Sequence, residues 1–173
     1  MTFELPDPTM VEPPASDAYW VVADWLAAGP HPHADDRPRL NELLEDGFEV
    51  FINLTAQHIR GSSDRHLRDY TGAVEAAGGV VIDAPIQDMG LPSLGQARTI
   101  LDAIDSALTS GQKVYVHCWA GVGRTGTIVG CWLVRHGIPN DEVASTITTL
   151  RYGLLGDSPQ SDDQLDFIQQ WSG

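Results

Sequence analysis

The chain has 173 residues, 42% of them hydrophobic, with 24 acidic against 10 basic side chains and a formal net charge of −14. That length fits one domain with a core of its own, no apolar run approaches the roughly 20 residues a membrane span needs, and so acidic a chain lacks the footprint of a nucleic-acid or anionic-lipid binder. Glu4 and Asp7 stand where a signal peptide would carry a basic and then an apolar region, and two cysteines, Cys118 and Cys131, make no disulfide framework. The expectation is a cytoplasmic monomer.

Residues 1–17 hold prolines at 6, 8, 13 and 14 and no periodicity, which predicts a flexible arm before a single domain over residues 18–173. Residues 19–22 and 26–28 read as two short strands, the second stopped by Gly29 and Pro30. The turn that follows carries His31 and His33 with no acid or cysteine at ligand spacing, so it is read as a surface turn and no metal or cofactor is expected. Leu40, Leu43 and Leu44 set a helix over 38–46 that Gly47 ends, and residues 49–54 follow as a buried strand. A loop over 55–63 carries His58 and Arg60. Residues 64–77 read as a helix and 80–83 as a strand.

A loop rich in turn formers spans residues 84–93, and Ser93 caps a helix over 94–110 with an apolar stripe of Ala97, Ile100, Leu101, Ile104 and Leu108. Residues 113–116 then alternate as a buried strand. Past residues 117–126, a helix over 127–136 is apolar nearly all round and holds Cys131, which is read as a packed core thiol. Two further helices are expected, one opened by Pro139, Asn140 and Asp141, the other over residues 161–171. Strands alternating with helices predict an α/β fold of three αβα layers, a mainly parallel central sheet flanked by helices.

The stretch His117-Cys118-Trp119-Ala120-Gly121-Val122-Gly123-Arg124-Thr125-Gly126 takes a strand through a glycine-bearing loop into a helix. Such a turn aims backbone N–H groups and the positive end of the helix dipole at one spot, an anion cradle. Cysteines at helix N-termini and beside cations have pKa values lowered from about 8.5 into roughly the 3.5–7.5 range, so the loop predicts a thiolate nucleophile. Arg124 supplies a planar fork of donors suited to phosphate oxygens. Thr125 is a candidate donor to the sulfur when it leaves. No lysine follows Gly126, so this is not a nucleotide-binding P-loop.

The H-C-x-x-G-x-G-R-T-G run resembles the C-x5-R signature of the cysteine-dependent protein tyrosine phosphatase superfamily. The surrounding chain is similar to its dual-specificity branch, especially small phosphatases of the kinase-associated type. The resemblance implies that residues 119–124, Trp119, Ala120, Gly121, Val122, Gly123 and Arg124, bind the phosphate, and that His117 helps to hold the thiolate. It also implies that the loop carrying Arg60 borders the substrate cleft, where Arg60 is a candidate for gripping a second acidic group and equally reads as a solvated loop residue.

A departing ester oxygen needs a proton from a second loop. Asp88, in P-I-x-D-x-x-x-P-S thirty residues before Cys118, resembles the acid of these enzymes in position and wording, with Asp83 as its rival. Gln160 and Asp162 are further candidates for ordering the hydrolytic water. The activity expected is hydrolysis of phosphotyrosine, and of phosphoserine or phosphothreonine, in a protein or peptide substrate through a phosphocysteine. The alternatives are a catalytically weak phosphate-recognising module, or an RNA 5′-phosphatase. Ala120 and Val122, standing where phosphoinositide phosphatases place lysines, disfavour an inositol headgroup.

Overall fold

A computed structural model describes residues 3–33, 35 and 37–172. Five strands form one sheet: β1 (Tyr19–Val22), β2 (Leu26–Gly29), β3 (Phe48–Asn53), β4 (Val80–Asp83) and β5 (Lys113–His117), in spatial order β1-β2-β5-β3-β4. Only β1 runs antiparallel to its neighbour; β2, β5, β3 and β4 are parallel. The strand that leads into Cys118 is therefore the central one.

Alternation along the strands sorts the side chains to two cores. Val50, Ile52, Val114 and Val116 face one side, where α3 (Leu94–Thr109), α4 (Gly123–Arg135), α5 (Val143–Leu150) and α6 (Asp162–Gln169) contribute Ile100, Ile104, Ile128, Trp132, Ile147 and Ile168. Phe51, Tyr115 and Ala27 face the other, covered by Leu40 and Leu43 of α1 (Arg39–Glu45) and by Tyr70 and Val74 at α2 (Thr71–Ala76). These are the three αβα layers expected from the sequence. Ser93 caps α3 as read, its hydroxyl accepting from the Gln96 N–H. No described helix is long and apolar enough to cross a membrane.

Three readings change. The helix expected over 64–77 is a 3-10 turn (Ser63–His66), an extended link and then α2. The break turns Asp64 inward and buries Leu67 and Tyr70. The helix expected from residue 127 begins at Gly123, so Arg124, Thr125 and Gly126 lie in its first turn. The turn at 29–33 is not a surface feature: His31 is fully buried, edge-on to the rings of Tyr70 and His117.

In the arm, Met1 and Thr2 lie outside the described residues. Further along, Phe3 packs beside Trp132, Trp20 Nε1 donates to the Glu12 carbonyl at 2.9 Å, and the Ser16 N–H donates to Glu42 Oε2 at 2.7 Å.

Helix α6 is held to α4 by close approach at Gly130, where a Cβ would stand 2.4 Å from Ile168 Cδ1. Ile168 is fully buried. Ile168→Ala should lower the unfolding free energy by about 2–5 kcal/mol, read from urea denaturation, because it removes apolar contact and leaves a cavity. A smaller loss would mean that α6 settles onto α4.

Candidate active site

In open parallel sheets the ligand crevice lies beyond the C-terminal ends of the strands, where the strand order reverses. Here β5 is flanked by β2 and β3, and the loops after β2, β3, β4 and β5 all open at that edge. A cavity of about 200 Å³ lies there, lined by Asp88, Met89, Cys118, Trp119, Ala120, Gly123, Arg124, Gln160 and Gln164.

The loop between Cys118 and α4 depends on two tight backbone contacts. Gly121 has φ +71°, and a Cβ on it would stand 2.3 Å from the Gly29 carbonyl carbon and 2.5 Å from the Pro30 nitrogen. No side chain fits there. The loop's carbonyls are tied outward: the His31 N–H donates to the Trp119 carbonyl (2.9 Å), Arg151 Nη1 to Gly121 (3.0 Å) and Ser158 Oγ to Val122 (2.8 Å). Among the described residues the N–H groups of residues 119–124 have no partner. With those carbonyls bonded elsewhere, the loop brings unpartnered N–H groups and the start of a 13-residue helix to the edge of the cavity that Trp119, Ala120, Gly123 and Arg124 line.

Arg124 is 3% exposed, and its guanidinium is already engaged. Nη1 donates to Asp64 Oδ2 at 2.6 Å and to the Ile86 carbonyl at 3.1 Å; Nη2 donates to Asp64 Oδ1 at 3.1 Å and lies 3.0 Å from Asp88 Oδ1. The two-pronged Nη edge is thus spent on Asp64, and the Nε/Nη2 edge is left for an anion. Burial works against the charge on Arg124, but the bond to Asp64 and the nearby Cys118 and Asp88 outweigh it and raise the pKa above the ordinary arginine value. Asp64, fully buried, is pushed up by burial and pulled further down by Arg124 and the Ala56 N–H, so its carboxyl ends below the usual range.

Asp88 reaches the cavity from the loop after β4. Ser63 Oγ donates to its Oδ2 at 3.0 Å and the Met89 N–H to its Oδ1 at 3.1 Å. The rival Asp83 accepts from Asn53 Nδ2 at 2.8 Å and does not line the cavity.

His117 is fully buried beneath the loop, its pKa forced well below the ordinary value by burial. Its Nδ1 lies 3.3 Å from the Cys118 carbonyl and its Nε2 bonds Tyr70 Oη, which fits a neutral ring donating from Nδ1 and accepting from the phenol. His31 is neutral as well: burial takes it down to about 4, the His33 N–H donates to its Nδ1, and its Nε2 faces Gln57 Oε1. Thr125 Oγ1 is buried with no partner among the described residues. Cys131 is sealed in the core, its thiol pushed up to about 12 by burial.

Of the other candidates, Gln160 lines the cavity, whereas Asp162 in the first turn of α6 does not. Arg60 sits outside it, in a neighbouring groove that shares Asp88. Two residues escaped sequence reading. Gln164, fully buried, accepts from the Gln160 N–H at 3.0 Å and closes the cavity beside Gly123. Asp64 was read as the first residue of a helix; the hint available was an acid amid exposed arginines with no apolar repeat to hold it outside.

A parallel α/β sheet whose central strand delivers this loop defines the class: the cysteine-dependent protein tyrosine phosphatase superfamily, with the dual-specificity architecture. Residues 28–138 match the family described as "Polymorphic toxin system, DSP-PTPase phosphatase", and the chain belongs to that family. Tyrosine-protein phosphatase CDC14 of Candida albicans is 28% identical over 138 residues, 78% of this chain and 25% of that protein, so the chain spans a quarter of that relative's length. Among solved structures, Tk-PTP in the active form superposes with a TM-score of 0.72 at 24% identity, covering 90% of this chain and 95% of the other. Kinase associated phosphatase gives 0.67 at 18%, covering 84% and 83%.

The Asp64 carboxyl makes the site acid-sensitive with a definite sign. Its folded pKa lies below the unfolded value near 3.9, so its contribution to stability is present above that pH and lost as pH falls through the folded pKa. Asp64→Ala, which strips a buried cation of its main partner, should cost about 3–5 kcal/mol in urea denaturation near neutral pH and flatten the stability loss below pH ~4. An unchanged acid limb in the variant would place that loss on other carboxyls.

Proposed function

We propose that this chain is a phosphoprotein phosphatase that hydrolyses phosphotyrosine, and phosphoserine or phosphothreonine esters in the same pocket, through a phosphocysteine. The observation that carries the reading is the meeting of Cys118, Arg124 and Asp88 in one cavity, a thiol, a cation and a carboxyl brought together from two loops. The CDC14 relative is named a tyrosine-protein phosphatase, which supports the same class of substrate.

The phosphoryl group takes the free N–H groups of residues 119–124 and the Nε/Nη2 edge of Arg124. It competes with Asp88 for Nη2, so substrate arrival releases that carboxyl toward the leaving oxygen. Cys118 Sγ attacks phosphorus, the P–O ester bond breaks, and Asp88 gives its proton to the departing oxygen. Water, ordered by Gln160, then attacks phosphorus, returns a proton to Asp88, and the sulfur leaves with its electron pair. The unpartnered Thr125 hydroxyl is available to that sulfur.

Cys118→Ser should bind phosphate esters while turnover falls to background, measured as phosphate release beside tungstate-competed binding. Substantial turnover in this variant would rule out the covalent route.

Asp88→Ala should slow release from a phosphotyrosine peptide by roughly 100 to 10,000-fold. The loss should be distinctly smaller on an aryl phosphate whose leaving group is a weaker base than tyrosine, with its pKa near 10. Equal losses on both esters would reduce Asp88 to a positioning residue.

A further inference from the structure

Ser63 stands beside Asp64 on the 3-10 turn, and its hydroxyl is one of three groups that hold the Asp88 carboxyl. Oδ2 accepts from Ser63 Oγ at 3.0 Å, while Oδ1 accepts from the Met89 N–H at 3.1 Å and lies 3.0 Å from Arg124 Nη2. Asp64, the next residue, takes both Nη groups of the same arginine. Arg124, Asp64, Ser63 and Asp88 therefore close a ring, in which two consecutive residues of one turn set the acid loop against the anion loop.

The turn is fixed on both sides of Ser63. Ser62 Oγ accepts from the Asp64 N–H at 3.1 Å and caps the turn, His66 Nδ1 lies 2.7 Å from the Ser63 carbonyl, and the Ala56 N–H donates to Asp64 Oδ2 at 2.9 Å. His66 is set in turn against Trp119 of the anion loop, with ring centroids 4.8 Å apart. Because Ser62 does the capping, the Ser63 hydroxyl is left for Asp88, its one side-chain hydrogen-bond partner among the described residues. On the other side Met89, at a left-handed φ of +59°, bonds back to the carboxyl of the residue before it.

A general acid has two oxygens and needs its proton on the one that meets the leaving group. In the proposed reaction the phosphoryl group takes Nη2 of Arg124 from Asp88, and the oxygen freed by that exchange is Oδ1. Oδ2 keeps its bond from Ser63. We infer that Ser63 is a positioning residue for the general acid: it pins Oδ2, so that Asp88 presents a protonated Oδ1 to the departing oxygen instead of swinging into solvent. The inference rests on the phosphatase reading above, in which Asp88 is the acid. Ser63 itself gives no proton and lies outside the lining of the catalytic cavity. The bond sits at an exposed rim, so its loss costs up to about tenfold in rate, what one ordinary hydrogen bond is worth.

The test is kcat/KM, which covers the steps up to loss of the leaving group, on a phosphotyrosine peptide and on an aryl phosphate with a less basic leaving group. Ser63→Ala should lower the peptide value by up to about tenfold, and the activated ester by distinctly less, with the melting temperature unchanged. Ser63→Thr, which keeps the hydroxyl, should recover most of the loss. In an Asp88→Ala background Ser63→Ala should add nothing on the peptide, since the two side chains act on one proton. A loss equal on both esters, or undiminished when Asp88 is already gone, would make Ser63 a structural part of the turn only and overturn the inference, leaving the phosphatase reading in place. A wild-type value for Ser63→Ala on the peptide would overturn it likewise. An Asp88→Ala variant with no loss on the peptide, or a wild-type chain that releases no phosphate from either ester, would remove the acid that the inference needs and the proposed mechanism with it.

Discussion

A guanidinium buried in the first turn of a helix is the constraint from which the site follows. Arg124 cannot stay charged beneath the surface without a counter-charge, and no acid of α4 supplies one in that turn. Asp64 comes from the far side of the cavity, between β3 and α2, and gives both oxygens. For that carboxylate to reach inward the chain must abandon helix after a single 3-10 turn, and the link that follows drops Leu67 and Tyr70 into the core. One ion pair thereby fixes the height of the arginine, the course of the segment before α2 and the position of Tyr70 over His117.

Beneath the loop the polar groups are buried as neutrals. His117, Tyr70 and His31 meet ring to ring, with hydrogen bonds that need no net charge. A cation here would compete with the loop for an incoming anion, and a carboxylate would repel it. Burial keeps both histidines unprotonated, so the local positive field comes from Arg124, Arg151 on the loop's Gly121 carbonyl, Arg39, the helix start and the backbone N–H groups. Gly29 and Gly121 then bring two backbones to a separation that excludes any Cβ.

The sheet, the capped α3 and the αβα layering were legible in the sequence because period-two strands and a 3.6-period stripe are local signals. The loop was legible because its chemistry is contiguous, ten residues from His117 to Gly126. Asp64, Gln164 and buried His31 were not, for one shared reason: each is defined by what it meets across tens of residues. Asp64 in a polar run reads as solvent-facing, and only Arg124, sixty residues on, turns it inward. A Gly-Pro-His-Pro-His turn has the composition of a surface loop, yet the close approach of Gly121 to Gly29 draws it under the cavity. The start of α4 was placed four residues late because the glycines up to Gly126 were read as part of the loop, whereas the helix begins at Gly123.

The fate of Cys131 gives the protein an internal gauge. Its thiol is shut in the core, where burial raises its pKa to about 12, while Cys118 lines the cavity. A thiol-reactive reagent added to the native chain therefore meets one sulfur, and the second is counted only in molecules that have opened. Labelling stoichiometry followed over time separates modification of the site from loss of the fold in one sample, with no probe introduced.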